Sequence, residues 1–199
     1  MTFNFKKEII IFLAIFLVSS FLVYLFLNSD AYFTILRYDL LSRFSFAGID
    51  FPNQPGIVPS KDYYLQIPKI NASAPIVFPA DDSIKSVLAS LELGVALYPG
   101  SQLPGETGRA VILGHSSKPP IFTLLNKLQS GDEFYITSGN KKLVYKVFSN
   151  DILTPDQTNE ILSQIPQNES NAALITCWPI GFSSKRTLIQ AKLSRVEKI

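Results

Sequence analysis

Hydrophobic and polar positions divide this chain into three stretches. Residues 9–27 read IIIFLAIFLVSSFLVYLFL, nineteen positions without a charge. At about 1.5 Å per residue they approach the ~30 Å hydrocarbon core of a bilayer, which predicts one membrane-spanning helix. The competing reading is a cleaved signal peptide, whose apolar part usually runs ~7–15 residues to a small-residue cleavage site. Asn28-Ser29-Asp30-Ala31-Tyr32 makes a poor site of that kind. Lys6 and Lys7 precede the span and no basic residue follows until Arg37, so residues 1–8 are expected in the cytoplasm and the remainder outside.

In the second stretch, residues 28–60, Phe33, Leu36, Leu40, Leu41 and Phe44 recur at helical spacing behind Asn28, Ser29 and Asp30. This pattern suits a juxtamembrane amphipathic helix, lying on the outer leaflet or packed on the body of the protein. Gly48, Pro52, Pro55, Gly56 and Pro59 then break all periodicity, as a linker does.

The third stretch, residues 61–199, holds short apolar runs rich in Val, Ile, Tyr and Phe: 63–67, 74–78, 94–98, 109–113, 133–137, 143–148, 172–176 and 187–193. Eight strands bounded by turn residues predict a mainly β domain, a small barrel or sandwich. Ser138-Gly139-Asn140 between two runs is a hairpin signal. Two short helices are expected among the strands, with a third, weaker one from Asp156. One is capped by Asp81 or Asp82 and carries Ile84, Val87, Leu88 and Leu91 up to Gly94. The other follows Pro119-Pro120 and carries Ile121, Leu124, Leu125 and Leu128.

Composition narrows the function. With 47% hydrophobic and 17% charged residues the chain can build a core, and a formal charge of +2 without basic clusters gives no support to nucleic-acid binding. One Cys and one His are too few for a structural zinc site, and no phosphate-cradling loop is present. The lone Cys177 has no partner for an internal disulfide, so an exported domain would carry a free thiol. His115 ends the run RAVILGHSS, Cys177 ends NAALITCWP, and Arg186 opens the strand nine residues later. An imidazole beside a thiol supports nucleophilic catalysis, and a guanidinium returned by an antiparallel hairpin suits a developing oxyanion. Each residue alone has an ordinary structural role; the candidate site is the three together.

These words resemble the sortase family of membrane-anchored cysteine transpeptidases. Leu113-Gly114-His115, Leu174-Ile175-Thr176-Cys177 and Arg186 match its pattern. So do Ile67-Pro68-Lys69-Ile70 with Pro75-Ile76, Tyr98-Pro99-Gly100 with Gly105 and Gly108, and Phe122, Leu125, Leu128 and Gly131-Asp132. The resemblance covers most of residues 61–199 and implies a closed eight-stranded barrel as the catalytic domain. It also implies that Cys177 attacks a Leu-Pro-x-Thr-Gly-like sorting signal to give a thioacyl-enzyme, that His115 protonates the leaving amine, and that Arg186 binds the oxyanion. Thr176 is expected at the border of the substrate pocket. The partners implied are secreted proteins bearing the signal and an amine acceptor, from a cell-wall precursor or a protein, at the outer face of the cell membrane. No cofactor is implied; calcium activation, known in part of the family, finds no loop pattern among Glu92, Glu106, Glu160 and Glu169. Ala173 and Trp178-Pro179 depart from the common pattern around the cysteine and leave the subclass open. No apolar span follows Leu193, unlike the pilin-polymerising branch. Leu103-Pro104-Gly105-Glu106-Thr107-Gly108 echoes a sorting signal with one residue too many, and turn chemistry accounts for it. The alternative from another class is a membrane-tethered, non-catalytic binding module on the same barrel.

Overall fold

The computed structural model describes residues 5–29, 31–33 and 63–199. Except for its first residues, the juxtamembrane helix and linker expected between 28 and 60 lie outside these. Helix α1 (Phe5–Leu27) contains the predicted span and is apolar on every side, with Phe12 and Phe26 exposed by 69% and 78%. A helix with no polar face is suited to lipid. Among the described residues it alone is long and apolar enough to cross a membrane.

Each of the eight apolar runs is a strand: β1 (Tyr63–Ile67), β2 (Ala72–Val77), β3 (Val95–Leu97), β4 (Gly108–Leu113), β5 (Glu133–Ser138), β6 (Lys141–Leu153), β7 (Ser170–Trp178) and β8 (Lys185–Lys198). They close into a barrel in the order β1-β2-β3-β4-β7-β8-β6-β5. Closure leaves no unpaired edge. The β5–β6 hairpin turns on Gly139 and Asn140, since Ser138 pairs with Lys141, and Gly139 supplies the left-handed φ of 57° that this turn needs.

Strand alternation sorts side chains between two apolar layers. Leu65, Ile76, Ile112, Phe134, Tyr145, Ala172, Leu174, Ile189 and Ala191 fill the barrel. Val111, Ala173, Ile175 and Leu188 point outward, under helix α3 (Pro155–Gln164) and its Ile161, Leu162 and Ile165. The wall made by β4, β7 and β8 is therefore dry on both sides. Inside it Tyr145 is fully buried and stacked on Phe134 at 5.4 Å, its hydroxyl accepting from Gly105 N at 2.8 Å and lying 3.3 Å from Ser170 Oγ. Burial pushes this phenol above its ordinary value.

The helices differ from expectation. Helix α2 (Ile84–Leu93) is capped by Ser83, whose hydroxyl accepts from Ser86 N at 3.2 Å, while Asp81 accepts from Ser83 N instead. Of its expected apolar face only Leu91 is buried; Ile84 and Leu88 are 78% and 49% exposed, so the helix packs by its C-terminal turn. The segment after Pro120 is not an α-helix but a turn leading to a 3-10 stretch, Leu125–Lys127. There the Thr123 hydroxyl reaches back to Ser116 O at 2.7 Å and Pro120 O at 3.0 Å, and the tighter winding buries Phe122, Leu124, Leu125 and Leu128 together. Helix α3 begins at Pro155, not Asp156, because Thr154 and Gln157 form a reciprocal capping box.

Tyr145→Phe strands Gly105 N–H and removes the bond across to Ser170, and should cost about 1–2 kcal/mol in denaturant unfolding at unchanged slope. On the outer surface Arg195 of β8 reaches across β6 to grip Glu133 of β5 at 2.8 and 3.1 Å and also Glu197 at 2.8 Å. Hydrogen bonds from Arg195 hold both carboxyls below their ordinary range. Lowered on folding, they add stability that is present above the unfolded value of about 4.3 and fades as pH falls through the folded one. Glu133→Gln should therefore show a small loss of stability at pH 7 that disappears near pH ~3, measured by thermal melts across that range.

Candidate active site

Strand β4 runs parallel to β7, from Gly108↔Ser170 to Leu113↔Ile175. Gly114 N donates to Ile175 O at 3.0 Å and carries the ladder one step further, to Gly114 beside Thr176; His115 and Cys177 are the next residues on the two segments. Gly114 is required for this approach. A Cβ on it would lie 2.3 Å from Cδ2 of Phe122, which is fully buried and whose N–H bonds His115 O at 2.9 Å. The ring of Phe122 thus rests against the backbone that presents the imidazole.

On the other side of β7 lies β8, antiparallel, with Cys177 directly opposite Arg186. Side chains so paired share a face, their Cβ atoms about 4.5–5.5 Å apart. That face is the outer one, because Cys177 alternates in step with Ala173 and Ile175, and Arg186 with Leu188. Cys177 is partly exposed and its thiol is free. Trp178, half-buried, follows it and precedes Pro179 through a cis peptide bond.

Arg186 folds back on its own loop, Nη1 donating to Ser183 O at 2.8 Å and Lys185 O at 2.9 Å. Nε and Nη2 find no protein acceptor among the described residues, so part of the guanidinium fork is free to bind another oxygen. His115 Nε2 stands 4.0 Å from Oε1 of Glu92, in the last turn of α2. Glu92 is 71% exposed, which makes this a weak pair, but it orients a carboxylate toward the ring. No sequence spacing flagged it; α2 and the end of β4 meet only through the fold.

Thr176 belongs to the opposite face. It points into the barrel across from Thr187, both hydroxyls buried without a hydrogen-bond partner. The structure thus brings His115, Cys177 and Arg186 to one end of one wall and sets Thr176 behind them. Of the carboxylates weighed for calcium, Glu169 pairs with Lys192 at 2.6 Å and Glu92 faces His115. Among the described residues no three acidic, His or Cys side chains gather as metal ligands do.

Known proteins share this architecture. The family model of the Sortase domain matches residues 65–194. Sortase D of Bacillus subtilis (strain 168) is 33% identical over 131 residues, 64% of this chain and 61% of its own length. Among solved structures, sortase A from Corynebacterium diphtheriae superposes with a TM-score of 0.58 at 30% identity, covering 68% of this chain and 61% of that one. Sortase C-3 from Streptococcus pneumoniae gives 0.60 at 25%, covering 86% and 85%. The chain thus spans about three fifths of the length of the first two. With the domain model matched from within β1 to within β8 and the strand order closed as described, the chain belongs to the sortase family.

Proposed function

We propose that the protein is a cysteine transpeptidase that cleaves a Leu-Pro-x-Thr-Gly-like sorting signal and transfers the released protein to an amine at the cell surface. The observation that carries this reading is the pairing of Cys177 with Arg186 across β7 and β8, with His115 two residues past the end of β4, the strand that runs parallel beside β7. A sulfur flanked by an imidazole and a guanidinium is the setting in which thiols act as nucleophiles. Sulfur adds to the scissile carbonyl, and Arg186 hydrogen-bonds the oxygen as it gains charge. The C–N bond then breaks, His115 gives its proton to the departing amine, and a thioester remains on Cys177. An incoming amine displaces the sulfur, its proton returns to the imidazole, and one amide has replaced another. Thr176 supports the cysteine from inside the barrel and takes no part in contacting the peptide.

The helix α1 anchors the chain, with Lys6 and Lys7 on the cytoplasmic side and the catalytic domain, from residue 61, outside. Sorting-signal proteins are then the donors, and a cell-wall precursor or protein amine the acceptor. Turnover separates this function from that of a tethered binding module with the same barrel.

Incubation of the full-length chain with a sorting-motif peptide library should give a covalent adduct on Cys177 by mass spectrometry, absent in Cys177→Ala. Persistence of that adduct in the variant would remove Cys177 as nucleophile. His115→Ala should lower kcat by about 10²–10⁴-fold, the usual worth of a general acid. Arg186→Lys keeps the charge but loses the planar fork, and should lower kcat by about 10–10²-fold with KM little changed.

A further inference from the structure

The loop between Trp178 and Lys185 joins the strands that carry Cys177 and Arg186, and it is also where the barrel meets α1. Tyr24, in the last turn of α1, donates its hydroxyl to Ile180 O at 2.9 Å, and Tyr32 donates in turn to the Tyr24 hydroxyl at 2.9 Å. The ring of Phe182 lies 5.7 Å from that of Tyr24. Just past the helix, Asn28 and Ala31 are 8% and 0% exposed. Gly181, at a φ of 78°, offers Asn28 a bare Cα; a Cβ there would lie 2.8 Å from the Asn28 amide oxygen.

We propose that this loop is a docking surface for the outer end of the chain's own membrane helix, and that the docked helix positions Arg186 beside Cys177. The link is short. Arg186 takes its orientation from the carbonyls of Ser183 and Lys185, and the loop that carries Ser183 is pinned on its far flank by Tyr24 at Ile180. Within the loop, Phe182 N–H reaches Pro179 O at 2.9 Å and Ser184 makes a long contact to Trp178 O at 3.5 Å. Tyr24 sits about one turn inside the helix end, at the depth where phenols favour the membrane interface and where hydrogen bonds are less weakened by water than in bulk. Tyr24 and Gly181 are then positioning residues, and the mouth of the site is held at the bilayer surface. The positioning half of this proposal rests on the catalytic reading of Cys177 and Arg186; the docking half does not.

The test uses the full-length chain in phosphatidylcholine–phosphatidylglycerol vesicles, with hydrogen exchange and peptide turnover read in parallel. Tyr24→Phe removes the bond to Ile180 O and keeps the ring. It should speed exchange at residues 180–186 by about threefold to tenfold, leave the β4–β7 ladder unchanged, and lower kcat by a similar factor with KM within about twofold. Tyr24→Cys with Phe182→Cys, made in the Cys177→Ala background, should be joined within one chain by a short bis-maleimide, a readout that survives any loss of activity. Failure to cross-link, or unchanged loop exchange in Tyr24→Phe, overturns the docking. Faster exchange with unchanged kcat overturns the positioning. Cross-linking and faster exchange in a chain whose wild type forms no peptide adduct would leave the docking standing and remove the transpeptidase reading.

Discussion

Parallel pairing between β4 and β7 is the constraint from which the rest of the molecule follows. Parallel neighbours cannot be joined by a tight turn; the chain must leave one end of the sheet and re-enter at the other. Here the return runs through the 3-10 segment, the β5–β6 hairpin and α3, which together supply two of the eight strands and the cover over the outer wall. Register is then fixed from both sides, because a slip of one residue would exchange Ala172 and Leu174 with Ala173 and Ile175 and expose both apolar layers. The same register aligns His115 with Cys177, so side-chain burial along the wall and convergence at its end are one requirement.

Burial on both faces also explains the sequence of that wall. RAVIL and AALIT show no alternation of polar and apolar residues, since neither side of β4 or β7 meets water until the strands end. On β7 the first position after the buried run to meet water is Cys177. A rigid, dry wall leaves the side chains at its end little freedom beyond their own torsions, Cys177 and Arg186 on its strands and His115 just past one of them.

Most of this was legible in the chain. All eight strands were, because Val, Ile, Tyr and Phe runs stop at Gly, Pro and Asn. Their order around the barrel was not, since nothing local says that β7 lies between β4 and β8. The long strands exceed their apolar runs: Lys141, Lys142, Lys185, Arg186, Arg195 and Glu197 continue β6 and β8 on the water side, where hydrophobicity carries no signal. The helix expected after Pro120 had the right spacing, yet Thr123 and the burial of four large side chains wound it tighter. At the site, His115, Cys177 and Arg186 stood out by their rarity and by strand ends. Thr176, expected at the pocket's border, lies on the opposite face of β7 from Cys177 with its hydroxyl buried, because neighbours in a strand point to opposite sides. Glu92 was read only as a carboxylate weighed for calcium and Tyr24 only as part of the apolar span, as each meets the site region across a long stretch of chain.

One feature of the wall has a physical reach beyond the chemistry: the sulfur is on its convex side, not in the lumen. A reactive group inside a barrel can receive only what threads through the opening, whereas one on the outside accepts any extended segment laid against it. The lumen behind it is filled by Leu65, Ile76, Ile112, Phe134 and Leu174, so nothing has to thread the barrel to meet that sulfur.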